Sequence, residues 1–119
     1  MKFIVATVRP ERLEAVQERL AAAKVFRLTI SDVQGVTPAA RGGAAATYAA
    51  GGGQAAAPPR PEPRVKLEVA VNEDFVEATL RAIQEGARGD AAGEHGTVLV
   101  LPLEEVIRIR TGERGPAAI

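Results

Sequence analysis

The sequence predicts an α+β fold: a ferredoxin-like βαββαβ sandwich, with an antiparallel sheet on one side and two helices on the other. Three observations predict it. Two segments, near 10–23 and 73–86, carry apolar residues at helical spacing, and each follows a strand-like run. Four such runs, near 3–8, 25–34, 65–71 and 97–101, give the order strand, helix, strand, strand, helix, strand. The two middle strands are separated only by a long segment too poor in large apolar side chains to form an element of its own. At 119 residues the chain is one domain, large enough for a modest core.

Phe3 to Val8 is a continuous apolar run, the mark of a central strand covered on both faces. Arg9-Pro10 breaks it, and Pro10 suits the first turn of a helix, where its missing N–H is not needed. Leu13, Val16 and Leu20 then recur at helical spacing, with Glu14, Gln17, Glu18 and Arg19 on the wet side, which predicts a helix from Pro10 to Ala23. Val25 to Gln34 returns to strand character, with Thr29 and Ser31 opposite Leu28 and Ile30.

Residues 37–63 are dominated by Ala, Gly and Pro, including Gly51-Gly52-Gly53 and Ala55-Ala56-Ala57-Pro58-Pro59. They cannot bury enough area to offset their ordering entropy, so a long flexible loop is expected. Within it Arg41, Tyr48 and Arg60 are the side chains able to anchor a partner strongly. A low-complexity insertion without function is the bland reading of the same stretch. Val65 to Val71 alternates as the third strand. Asn72 suits a helix cap, and Glu73 and Asp74 suit the first turn. Val76, Leu80 and Ile83 make the buried stripe of a second helix ending near Gly86. Residues 86–97 form a Gly-rich connection, Thr97 to Leu101 a fourth strand, and a short extra strand follows Pro102.

Composition excludes several function classes. The 15 basic and 15 acidic side chains balance, so no global field favours nucleic acid or an anionic membrane. Aromatics are 3% of the chain, which leaves no stacking platform for bases. There is no cysteine, hence no disulfide, thiolate metal site or thiol nucleophile. No apolar run approaches a membrane span, and a cytoplasmic protein is expected. No hydrolytic constellation stands out: His95 and Ser31 are the single histidine and serine, far apart in sequence, and Glu104-Glu105 would point to opposite faces of a strand. Binding without turnover is the better inference, and no metal site is expected.

The C-terminal stretch carries the clearest chemistry. Val106 to Arg110 alternates apolar and basic residues. As a strand it would turn Ile107 and Ile109 to a core and set Arg108 and Arg110 side by side, roughly 7 Å apart. Two neighbouring guanidiniums call for an anion, and a polyphosphate or carboxylate matches their donors. The glycines of 86–97 could add backbone N–H groups to such a site.

Ile107-Arg108-Ile109-Arg110-Thr111-Gly112-Glu113-Arg114-Gly115 and the terminal Ala118-Ile119 resemble the C-terminal signature of the PII signal transduction proteins. Leu101-Pro102-Leu103-Glu104-Glu105, Arg9-Pro10-Glu11-Arg12-Leu13 and Thr29-Ile30-Ser31-Asp32-Val33-Gln34-Gly35 fit the same family. The resemblance implies a single PII-like domain over 1–119, with 37–63 as its T-loop, 86–97 as its B-loop and 108–119 as its C-terminal loop. It implies a homotrimer and a regulatory protein rather than an enzyme, acting on a transporter or metabolic enzyme through the T-loop, with nitrogen regulation as the setting. It implies ATP or ADP as effector ligands, with magnesium as an optional companion, in clefts between subunits. Thr29, Gly35, Arg88, Gly89, Gly93, Gly96, Thr97, Arg108 and Arg110 would line each cleft, with Thr29 near the adenine and the two C-terminal arginines on the phosphates. Arg41, Tyr48, Arg60 and Arg64 would belong to the T-loop and its partner contacts.

The sequence departs from the family pattern in places. The B-loop lacks the usual lysines, leaving Arg88 as a substitute cation. Ala39 stands where the family has the glutamine that helps to hold 2-oxoglutarate, and Arg64 replaces a lysine, which puts 2-oxoglutarate sensing in question. The tyrosine segment modified in many members is missing. Three rivals follow: a PII-like sensor serving carbon, bicarbonate or metal transport; a slow ATPase using the same cleft; and a structural trimer without nucleotide.

Overall fold

A computed structural model describes residues 1–36, 59–89 and 96–119. The elements are β1 (Lys2–Val8), α1 (Leu13–Ala22), β2 (Leu28–Gly35), β3 (Glu62–Val71), α2 (Glu73–Ala87) and β4 (Thr97–Pro102). A 3-10 turn at Pro10–Arg12 leads into α1, and another at Gly115–Ala118 precedes the chain end. The four strands form one antiparallel sheet in the order β2-β3-β1-β4, so the βαββαβ arrangement stands and β1 is central. Among the described residues no helix is long and apolar enough to cross a membrane.

Register decides which side chains are covered. Ile4, Ala6 and Val8 of β1 lie beside Val65, Leu67, Val69 and Val71 of β3, and all are buried beneath the helices. Val16 and Leu20 of α1 and Ala82 and Ile83 of α2 fill the space above them. Burying a side chain of this size contributes roughly 1.5–3 kcal/mol, so this layer holds the fold together. The helices approach closely at Gly86, where a Cβ would stand 2.7 Å from the Val16 Cα. Gly86 is therefore a packing residue inside α2, and the expected B-loop starts later than 86. Its carbonyl also accepts a 3.0 Å hydrogen bond from Arg12 Nε, which ties the entry of α1 to the end of α2.

The opposite sheet face bears Phe3 and Val5 of β1 beside Leu101 and Leu99 of β4. Among the described residues no helix covers it, and Leu99 is 56% exposed. Lys66 and Glu68 of β3 share this face and pair at 3.4 Å. The sequence expectation that two charges would stand there among apolar neighbours is met.

Several local expectations shift. Asn72 occupies the N-cap of α2 without a side-chain cap bond; its Nδ2 donates instead to Pro116 O at 3.1 Å. Buried Thr79 joins the α2 stripe because its Oγ1 donates to Phe75 O one turn back, at 2.7 Å, and needs no other partner. Helix α1 ends with Lys24 at φ 64, where its N–H and that of Val25 return to the carbonyls of Ala21 and Leu20. A non-glycine residue in that left-handed conformation costs roughly 1–2 kcal/mol.

The largest correction concerns the C-terminal segment. After β4 the chain forms no regular strand, only a hairpin with a single bridge, Ile107 to Arg114. Arg108 N donates to Glu113 O, Gly112 N to Arg108 O and Gly115 N to Val106 O, at 2.8–2.9 Å. Gly112 and Gly115 take φ +75 and +76, which the turn requires and glycine permits. Ile107 and Ile109 do not reach a core: Ile109 is 100% exposed. An alternating pattern cannot specify a strand where no neighbouring strand supplies a ladder.

Candidate functional site

The expected site residues fall at different levels of the sheet. At one end Gly96 leads into β4 beside Thr7, the partner of Thr97. Gly96 has φ +106, and a Cβ there would lie 1.9 Å from Thr7 O, so only glycine lets the chain pass. Arg88, the exposed C-cap of α2, donates its N–H to Gln84 O at 3.1 Å. Thr7, Val8, Ala87, Arg88, Gly96 and Thr97 line a cleft of about 280 Å³ here. Gly89 follows Arg88 directly. Gly93 lies outside the described residues, as do Arg41, Tyr48 and His95.

Gly35 stands at the same end, on the far edge, opposite Glu62. A Cβ on it would meet Arg64 Cγ at 3.0 Å, so the Arg64 stem packs under the glycine. The rest of Arg64 is buried and engaged: Nη1 donates to Pro63 O at 2.9 Å, and Nη2 pairs with Glu62 Oε2 at 3.2 Å. Arg64 thus braces the base of the long loop, whereas Arg60 is exposed before β3 begins. Thr29 pairs with Glu68 near mid-sheet on β2. It is six residues from Gly35, about 20 Å along a strand, too far for both to touch one base within a single chain.

The arginine hairpin occupies the other end. Leu103 N donates to Met1 O at 3.2 Å, which places the segment after β4 beside the start of β1. From Thr7, level with Thr97, to Lys2, level with Pro102, the sheet runs five residues, about 17 Å. The two arginines are not equivalent. Arg108 is half-buried, and its Nε donates to Ala118 O at 3.0 Å and its Nη2 to Ile119 O at 3.4 Å. Glu113 adds a carboxylate at 3.8 Å. Arg110 is exposed and makes no ion pair among the described residues. Arg114 reaches Glu105 at 3.4 Å.

Within one chain, then, the glycine cleft and the arginine hairpin cannot meet. Each supplies part of what a phosphate ester needs: a tight backbone turn with one cation at one end, a free guanidinium at the other. Sequence reasoning missed the bracing of Gly35 by Arg64 and the occupation of Arg108 by its own chain end. Neither leaves a local sequence signal: the first depends on the pairing of two strands far apart in sequence, and the second on how the hairpin folds back to the chain end. Among the described residues there is no group of three or more His, Asp or Glu side chains able to hold a metal ion.

Comparisons with known proteins bear on the chain as a whole. The family model described as nitrogen regulatory protein P-II matches residues 1–113. Nitrogen regulatory protein GlnK1 of Methanosarcina mazei is 45% identical over 120 residues, spanning 100% of this chain and 97% of that one. A nitrogen regulatory protein P-II of Cereibacter sphaeroides is 38% identical over 125 residues, with both chains fully covered. Among solved structures, Arabidopsis thaliana PII bound to citrate superposes with a TM-score of 0.74 at 33% identity, covering 99% of this chain and 91% of its own.

Proposed function

The chain belongs to the P-II family of nitrogen regulatory proteins, and on that premise we propose that it is a nucleotide-reading regulator working as a homotrimer. ATP or ADP binds in the cleft between neighbouring copies. The glycine end of one copy, with Gly35, Arg88, Gly89, Gly96 and Thr97, faces the hairpin end of the next, with Arg108 and Arg110, and Thr29 of that next copy reaches the cleft from mid-sheet. Nucleotide identity shifts the segment 37–63, which a partner transporter or metabolic enzyme reads. By linkage, a partner that prefers one nucleotide state changes nucleotide affinity by the same factor.

The observation that carries this reading is the split site. Two sets of anion-binding groups stand at opposite ends of one sheet, and the sheet also has a bare apolar face. A second copy laid against that face can bring one end to the other. The roles of the arginines differ on this reading: Arg110 supplies the free charge for the phosphates, and Arg108 holds the hairpin to the chain end as well as facing the cleft. The relatives' names as regulatory proteins support binding over turnover.

Isothermal titration with ATP, ADP and AMP tests the proposal, alongside light scattering for mass. Saturable binding that weakens about tenfold or more in Arg110→Ala is expected, the loss of one charge-assisted contact. A monomer in solution, or binding undiminished in that variant, would sink the reading.

A further inference from the structure

Resting on the nucleotide reading above, we propose that Asn72 is a positioning residue for that site. It acts without touching the nucleotide. Asn72 anchors the turn Gly115–Ala118, and that turn holds the Arg108 guanidinium ready for a phosphate.

Asn72 is used in an unusual way. It stands at the N-cap of α2, where an asparagine side chain ordinarily accepts from the first turn of the helix. Here no such bond forms, and the Phe75 N–H donates to the Asn72 main-chain carbonyl at 2.9 Å. The side chain donates elsewhere, from Nδ2 to Pro116 O at 3.1 Å. Exchanging its amide N and O would set two oxygens against each other at Pro116, so the amide orientation stands. Its Oδ1 is left buried without a partner among the described residues. Forgoing a cap and burying an unmatched acceptor both work against stability. The contact with Pro116 therefore serves something other than the start of α2.

That contact leads to Arg108. Pro116 O also accepts from the Ile119 N–H at 3.3 Å, so one carbonyl ties the turn to α2 and closes it. Two residues on, Ala118 is buried, and its carbonyl accepts from Arg108 Nε at 3.0 Å. The Ile119 carbonyl accepts from Nη2 at 3.4 Å. Glu113 approaches the same edge, with Oε1 3.8 Å from Nε. Nε and Nη2 form the side edge of the guanidinium. Nη1 makes no hydrogen bond among the described residues. The end edge, Nη1 with the second Nη2 hydrogen, is thus left as a fork for two oxygens of one phosphate. An arginine already tied along one edge has less rotamer freedom to lose when a phosphate takes the other. Arg110 is exposed, makes no ion pair among the described residues and has no such preparation.

Titration calorimetry of the full chain with ATP tests the role of Asn72. Asn72→Thr removes the donor to Pro116 but keeps a side chain that can cap α2, so Tm holds or rises. ATP is expected to bind that variant about fivefold more weakly. Ala118→Glu, which evicts the turn from its buried seat, gives a loss of the same kind. Coupling to Arg108 is the readout that a merely structural role would not move. In an Arg108→Ala background, adding Asn72→Thr weakens ATP by no more than about twofold. In an Arg110→Ala background the loss of about fivefold is retained. Positioning through Asn72 is overturned by ATP affinity unchanged in both variants, or by a loss undiminished in the Arg108→Ala background. Tighter binding in the variants also overturns it, because the turn would then be a competitor for Arg108. A wild type that fails to bind ATP overturns the nucleotide reading and this role with it. Wild-type binding that ignores Asn72→Thr and Ala118→Glu overturns this role alone.

Discussion

Gly96 shows how little room a single residue can have. A methyl group there would meet Thr7 O at 1.9 Å, and the backbone sits at φ +106. Gly96→Ala is therefore expected to lower stability by about 2–4 kcal/mol, read as a shifted urea midpoint. Its glycine was visible in the sequence, but its reason was not, since Thr7 lies on another strand. Gly86 teaches the reverse. It reads as a loop glycine in the sequence, yet it lets α1 and α2 touch, and Gly86→Ala should cost about 1–3 kcal/mol by forcing the helices apart. Charge at this scale is modest. The Met1 ammonium, by its hydrogen bond first and its charge second, holds the exposed Glu73 carboxylate below its usual value. A depressed carboxylate stabilises above its unfolded value, and that contribution is lost as pH falls through the folded value. The Tm difference between the wild type and Glu73→Gln should thus be small at neutral pH and vanish in the acid range.

At the scale of elements, the sequence was legible wherever a period repeats against a core. The helices and the four strands lie within a few residues of the positions that Leu13, Val16, Leu20 and the 65–71 alternation predict. The hairpin failed the same rule for a physical reason. Ile107 and Ile109 alternate with arginines, but no sheet edge receives them, so the chain folds back on itself through two left-handed glycines. What holds that hairpin down is Arg108, a contact across ten residues to Ala118. Arg108→Lys keeps the charge but cannot reproduce a fork that serves Ala118 and Ile119 together. It is expected to loosen residues 106–119, seen as faster amide exchange there with little change in the Tm of the domain. The functional half of the site was legible as residue types, but its division into an engaged and a free arginine was not.

At the scale of the whole molecule, one face of the sheet carries the helices and the other carries Phe3, Val5, Leu99 and Leu101 toward solvent. On the proposed assembly Leu99→Glu buries a charge without a partner in each contact. Light scattering should then report a monomer that keeps its circular dichroism but has lost ATP binding. The separation of the glycine end from the hairpin end, about 17 Å along the sheet, reaches further than any one variant. A protomer crippled at its hairpin by Arg110→Ala and another crippled at its glycine end by Arg88→Ala are each poor when pure. Co-refolded into a ring, they rescue each other: wherever an undamaged hairpin follows round to an undamaged glycine end, a working seam reappears, and every hybrid ring contains one. Activity regained on mixing two defective proteins would be the fingerprint of a molecule whose halves are meant for its neighbours.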